Sequence, residues 1–264
     1  MNHLPPPVRT EAEDEHAQPW FRRRAFLQAA ATWTALGGAT GALAQQRGNI
    51  VQVFGDVLRN GVQLALGDTV VTGDRLVTGP TGNIVFVIGS DAFRVRANTR
   101  MSVERGDTLD AVSVLRVVAG AVTSVWGRGS RREVVTPTVT AGIRGTGIFT
   151  EVLNAADGKV RSYFCNCYGT VDLAAGSDRL TSHADYHQGF WAQGDLNAGT
   201  TQPLEPAEAL NHTDDELEML AALVNQRTAW QVAGRRGVQD GMGVIDPVPG
   251  MVHPALAPRT GYTR

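Results

Sequence analysis

From Gly48 onward, apolar residues recur at every second position. Val51 and Val53, Leu64 and Leu66, Phe93 and Val95, Met101 and Val103, and Val112 and Val114 each flank one polar or small residue. A period of two places i and i+2 on the same face of a strand, so these segments are predicted to be half-buried strands. The run Ile84–Ile88 is apolar throughout, the pattern of a strand covered on both faces. Turn pairs separate the runs: Gly55-Asp56, Asn60-Gly61, Gly67-Asp68, Gly73-Asp74, Gly79-Pro80 and Gly106-Asp107. Glycine reaches positive φ there, and aspartate accepts from nearby amides. Many short strands at close spacing predict an all-β fold, either β-solenoid-like or a sandwich. No helical period of useful length occurs over 48–152, which argues against a βαβ nucleotide-binding fold.

One helix is predicted near the C-terminus. Thr213-Asp214-Asp215-Glu216 is a capping box, and Leu217, Leu220, Leu223 and Val224 follow as an apolar stripe. The stripe is expected to pack on the chain's own β domain. Beyond it the sequence is rich in glycine and proline without period, so 231–264 is expected to be a flexible tail. The predicted organisation is a β domain over 48–152, a β extension over 153–200, a linker and helix over 201–230, and the tail.

Charge removes some functions. Among 264 residues, 24 Lys and Arg face 26 Asp and Glu, for a net charge of −2. No broad basic face is expected, and hence no nucleic-acid partner. No Ser–His–Asp frame, paired catalytic carboxylates or nucleotide fingerprint is found, so the chain is read as a non-enzyme.

The first 44 residues read as an address. Arg23, Arg24, Phe26 and Leu27 match the twin-arginine pattern Arg-Arg-x-Phe-Leu. An uncharged, weakly apolar stretch follows over 29–44, too weak and short to span a bilayer stably, and ends in Ala42-Leu43-Ala44, a small-x-small cleavage site. The expectations are export by the twin-arginine translocase, cleavage after Ala44, a periplasmic location and no stable membrane span after cleavage.

Further motifs carry a family resemblance. Leu66-Gly67-Asp68-Thr69-Val70-Val71-Thr72-Gly73-Asp74 opens a cadence continued by Asn83–Val95. Val117-Val118-Ala119-Gly120-Ala121-Val122 follows, then Thr136-Pro137 with Gly142-Ile143-Arg144-Gly145-Thr146. In this order over roughly 48–152 the chain resembles the FecR periplasmic domain. Thr136, Pro137, Arg144, Gly145 and Thr146 form the most specific match. The family's sigma-factor-binding segment, membrane helix and receptor-contacting domain have no counterpart in the sequence. The resemblance therefore implies an extracytoplasmic β module that contacts an envelope protein or glycan in signalling or regulation, and the sigma-factor-regulator role is not carried over.

The sharpest chemistry lies at Cys165-Asn166-Cys167, inside a segment that reads as a strand. Residues i and i+2 share a face, so the two sulfurs do too. Downstream are His183 and His187. Three readings stay open: buried thiols, a local disulfide, or a zinc or copper site made by Cys165, Cys167, His183 and His187. The first reading expects no cofactor. The last makes the chain a metal-binding or redox protein.

Overall fold

A computed structural model describes residues 48–105, 111–129, 132–154 and 158–238, together with the backbone of 262–263. The signal residues Arg23, Arg24, Phe26, Leu27, Ala42 and Ala44 lie outside the described residues, as do residues 239–261 of the expected tail. The described residues fall in one unit, Gly41–Arg264.

Among the described residues the fold is all-β apart from two short helices. Its strands are β1 (Ile50–Phe54), β2 (Val57–Arg59), β3 (Val62–Gln63), β4 (Arg75–Thr78), β5 (Asn83–Ile88), β6 (Asp91–Val95), β7 (Arg100–Arg105), β8 (Val112–Val125) and β9 (Arg132–Val135). They continue with β10 (Thr140–Ile143), β11 (Gly147–Asn154), β12 (Lys159–Ala175), β13 (Asp178–Ala184), β14 (Gln188–Asp195), β15 (Thr200–Thr201), β16 (Glu205–Ala207) and β17 (Tyr262–Thr263). Two sheets form. The first runs β1–β5–β6–β8–β11–β12–β14, with β15 and β16 both on the outer edge of β14. The second runs β3–β2–β4–β7–β8–β9–β10–β12–β13–β17. Every pairing is antiparallel except β8 with β9.

Two long strands belong to both sheets. β8 pairs with β7 over Val112–Ala119 and with β11 over Gly120–Val125. β12 pairs with β11 over its first half, and with β13 from Gly169 to Ala175. Each changes sheet at a glycine in the left-handed region: Gly120 has φ +80° and Gly169 has φ +98°. A Cβ at Gly120 would lie 2.3 Å from Thr99 Oγ1, so the corner needs both the conformation and the missing side chain. The Arg144-Gly145-Thr146 turn links β10 of the second sheet to β11 of the first, with Gly145 at φ +70°. The motif that resembles a FecR ending is thus a corner between sheets.

One apolar cluster joins the inner faces, with Ile84, Phe86, Val122, Ile148 and Phe164 from the first sheet and Leu76, Val103, Leu115, Val134 and Leu180 from the second. Burial alternates where the sequence does: β4 reads exposed–buried–exposed–buried. In β5 the apolar run is buried but for half-buried Val87.

The predicted boundary at 152/153 needs correcting. It falls inside β11, and the strands on either side share both sheets and one core, so 48–200 folds as a unit. Ordered structure crosses the expected start of the tail at 231, because α2 (Ala229–Val232) closes on its own capping box of Thr228 with Gln231. A four-residue helix is too short to show a period in sequence. α1 (Asp214–Leu223) has the predicted box, Thr213 with Glu216, and buries Leu217 and Leu220 completely. Burying each side chain contributes about 2 kcal/mol. The helix lies against β6 and β8, on the face of the first sheet turned away from the core. Among the described residues no helix is long and apolar enough to cross a membrane.

Candidate metal centre

The alternation of β12 builds the centre. Val160 and Phe164 point into the core, so Tyr163, Cys165 and Cys167 point to the outer face. The pairing of β11 with β12 slips here: Gly147 opposes Tyr168, Ile148 opposes Asn166, and Cys167 is left as the extra residue of a bulge. A bulge re-aims side chains. The Cys167 carbonyl accepts from the His187 backbone N–H at 3.0 Å, which anchors the turn entering β14 beside the sulfurs.

The fourth residue arrives from far along the chain. Tyr163 Oη donates to the Glu208 carbonyl at 2.7 Å and accepts from the Leu210 N–H at 3.1 Å. Asn211 then turns the chain at φ +60° and donates to Glu151 at 2.8 Å. These contacts bring His212, the residue before the N-cap of α1, over the cysteines, where it stacks on Phe149 with centroids 4.7 Å apart.

Cys165, Cys167, His187 and His212 are each fully buried, and their ligand atoms all lie within 4.8 Å of one another. His187 Nδ1 is 3.5 Å from Cys165 Sγ, His212 Nε2 is 3.4 Å from Cys167 Sγ, and the two nitrogens are 3.1 Å apart. Zinc–sulfur bonds of about 2.3 Å and zinc–nitrogen bonds of about 2.05 Å give tetrahedral edges of roughly 3.3 Å (N to N), 3.6 Å (S to N) and 3.8 Å (S to S). The one nitrogen–nitrogen and two sulfur–nitrogen distances above lie close to these, and the remaining pairs lie within 4.8 Å. Four ligand atoms so close together suit a single ion.

The outward edges of both imidazoles are also fixed. His187 Nε2 is 2.6 Å from Asp214 Oδ1, and His212 Nδ1 is 2.6 Å from the Leu210 carbonyl. Carboxylate and carbonyl only accept, so each outward nitrogen carries the proton and donates it. The inward nitrogens can then present lone pairs to one point, the orientation that a metal ligand needs. Tyr186 donates to the other oxygen of Asp214 at 2.9 Å. Replacing Asp214 with asparagine should weaken metal binding by about 10- to 100-fold, read in competition titrations against a chromogenic chelator.

Protonation follows the same geometry. Burial opposes ionisation of Cys165, but Cys167 and the two imidazoles outweigh it and hold that thiol well below its ordinary range. Burial, and then Cys165 itself, push Cys167 well above its own. Burial pulls His187 down, yet Asp214 and Cys165 overcome it and raise it to about 9. Without an ion the cluster therefore favours a thiolate beside an imidazolium. An ion would displace those protons.

The sequence-predicted residues are divided by the fold. Cys165, Cys167 and His187 meet, and the cysteines are not bonded to each other. His183 is a correction. It sits on β13 in the second sheet, opposite Thr170, is exposed, and bonds Thr170 Oγ1 at 3.1 Å. The sheet corner between it and His187 turns the two apart, and His212 takes the place expected for it. Of the motif residues, Thr136 caps its own turn by accepting from Val139 N–H at 2.8 Å. Arg144 pairs with Asp172 at 2.6 Å on the surface, and Thr146 is buried in hydrogen bonds to Asn166 and the Tyr168 carbonyl. A groove of about 940 Å³ lies over Arg144, Asp172, Arg179 and Leu180 of the second sheet, lined by none of the four cluster residues.

No family model and no curated protein matches the chain. Two solved structures from Parabacteroides distasonis ATCC 8503, each described as a candidate anti-sigma factor, are similar to it. One is 11% identical with a TM-score of 0.40, covering 52% of this chain and 60% of its own. The other is 8% identical with a TM-score of 0.40, covering 58% of this chain and 75% of its own. The chain thus spans less than two thirds of the first.

Proposed function

We propose that this protein is an exported, non-enzymatic β module that carries one tetrahedral metal ion on Cys165, Cys167, His187 and His212. The observation that carries this reading is the pair of imidazoles. Both are held by outward acceptors so that their free nitrogens face the two thiols at tetrahedral spacings. Two thiolates and two neutral imidazoles make a neutral complex with a divalent ion, the state cheapest to bury. Two sulfurs and two nitrogens at tetrahedral spacing suit zinc, with copper the rival. Four protein ligands with no exposed surface leave no position for water or substrate, so the ion is assigned a structural role and not a hydrolytic one. A periplasmic location rests on the twin-arginine pattern, and contact with an envelope protein or glycan rests on the FecR-like motifs.

The test is elemental analysis, with native and denaturing mass spectrometry, on mature protein purified from its exported pool. One zinc per chain is expected, lost on denaturation, with both thiols reduced. Metal-free protein with the thiols inert or bridged would overturn the assignment.

A further inference from the structure

We infer that the ion is a clasp: it fastens the C-terminal segment 204–238 over the outer face of the first sheet, so metal occupancy governs whether that face is covered. This rests on the metal reading above and adds a regulatory consequence to it.

The distribution of ligands carries the inference. Cys165 and Cys167 belong to β12 and His187 to the turn entering β14, whereas His212 belongs to the segment, as does Asp214, which holds His187 from the first turn of α1. An ion would thus bond the sheet to the covering segment at its entry into the helix. Beneath that entry are Phe149 and Tyr163, both fully buried, with Phe149 stacked on His212 and Tyr163 hydrogen-bonded to the segment at Glu208 and Leu210. The rest of the segment is held differently, by the pairing of β16 with β14, through Glu216 to Arg94 and Arg96, through Leu217 and Leu220, and through Trp230, which stacks on His187. Residues 208–213 depend most on the ion, because their other attachments are single hydrogen bonds and ring contacts. If they lift, the aromatic face is bared. By linkage, a partner that binds the bared face must lower the metal affinity by the factor that metal lowers its own.

The test is hydrogen–deuterium exchange by mass spectrometry on the mature protein, zinc-loaded and after chelation, with metal content measured in both samples. Peptides spanning 204–224 should exchange at least about tenfold faster without metal, while β9 and β10 of the second sheet keep their protection. His212→Ala, which leaves the three sheet ligands in place, should show the same local loss without chelator. Equal protection of 204–224 in protein verified as metal-free overturns the clasp and leaves the metal site intact. A uniform rise across both sheets also overturns it, since the ion would then hold the whole fold. Absence of zinc in the starting protein overturns the metal reading and the clasp together.

Discussion

His212→Ala should lower the stability of the zinc-loaded protein by about 4 kcal/mol, the stabilisation given by a ligand present at about 1,000 times its dissociation constant that binds only the folded state. For a β unit of this size, a loss of that order corresponds to a fall in Tm of about 8–16 °C. The reasoning is thermodynamic. Unfolded chain does not hold the four ligand atoms together, so binding free energy becomes folding free energy. Removing one imidazole from a closed four-ligand set should forfeit most of it. Part of the effect must come from packing, because His212 stacks on Phe149 and fills buried space. Thermal unfolding with and without chelator separates the two. Chelation should destabilise the natural protein strongly and His212→Ala hardly at all, and the residual gap between them in chelator is the packing share. Cys167→Ser should behave alike with a smaller packing residue. His183→Ala should match the natural protein in both conditions. If chelator shifts the Tm of the natural protein and of His212→Ala equally, His212 is not a ligand.

The contrast between His183 and His212 shows what was legible in sequence. The strands were, because alternation is local and each pair reports its own face. The same parity correctly put Cys165 and Cys167 on one side of β12. His187 was within reach, since a short turn follows β13. His183 misled because nearness along the chain was read as nearness in space. Only three residues separate it from His187, yet they span a corner between sheets. His212 was hidden for the converse reason. It lies 45 residues from Cys167, and no local period encodes the return of the chain. One signal was available: His212 directly precedes the Thr213 capping box, and the apolar stripe of that helix had to lie on the β domain to stay dry. A histidine at the entry of a docked helix is carried to the sheet with it. Gly120 and Gly169 were legible only as glycines. That they turn single strands from one sheet into another follows from positive φ combined with pairing on both sides, and the pairing is a tertiary fact.

The second large effect is expected at Glu216. This carboxylate is buried and meets Arg94 and Arg96 at 2.5 Å each. It also accepts from Thr123 at 3.1 Å and from the Thr213 backbone N–H at 3.2 Å. Burial works against its charge, but Arg96 and then Arg94 overcome it and hold its pKa down at about 2, against an ordinary 4.5. Arg94 points the other way: burial pulls it below the usual guanidinium value despite Glu216, so the cost of drying the pair cancels part of the gain. The lowering at Glu216 corresponds to at most about 3 kcal/mol, and the opposed shift at Arg94 makes the net gain smaller than that. A depressed carboxylate contributes stability that is present above its unfolded pKa and is lost as pH falls from about 4.5 toward 2. Glu216→Gln should therefore destabilise the protein by about 2–3 kcal/mol at pH 7, since two partly buried guanidinium groups would face a neutral amide. It should also flatten the pH dependence of stability between pH 5 and 3. Denaturant titrations in the presence of chelator, which removes the separate contribution of protons competing for the metal ligands, read both effects. An equal decline with falling pH in Glu216→Gln and the natural protein would place the acid sensitivity elsewhere and reduce the Glu216 cluster to a packing contact.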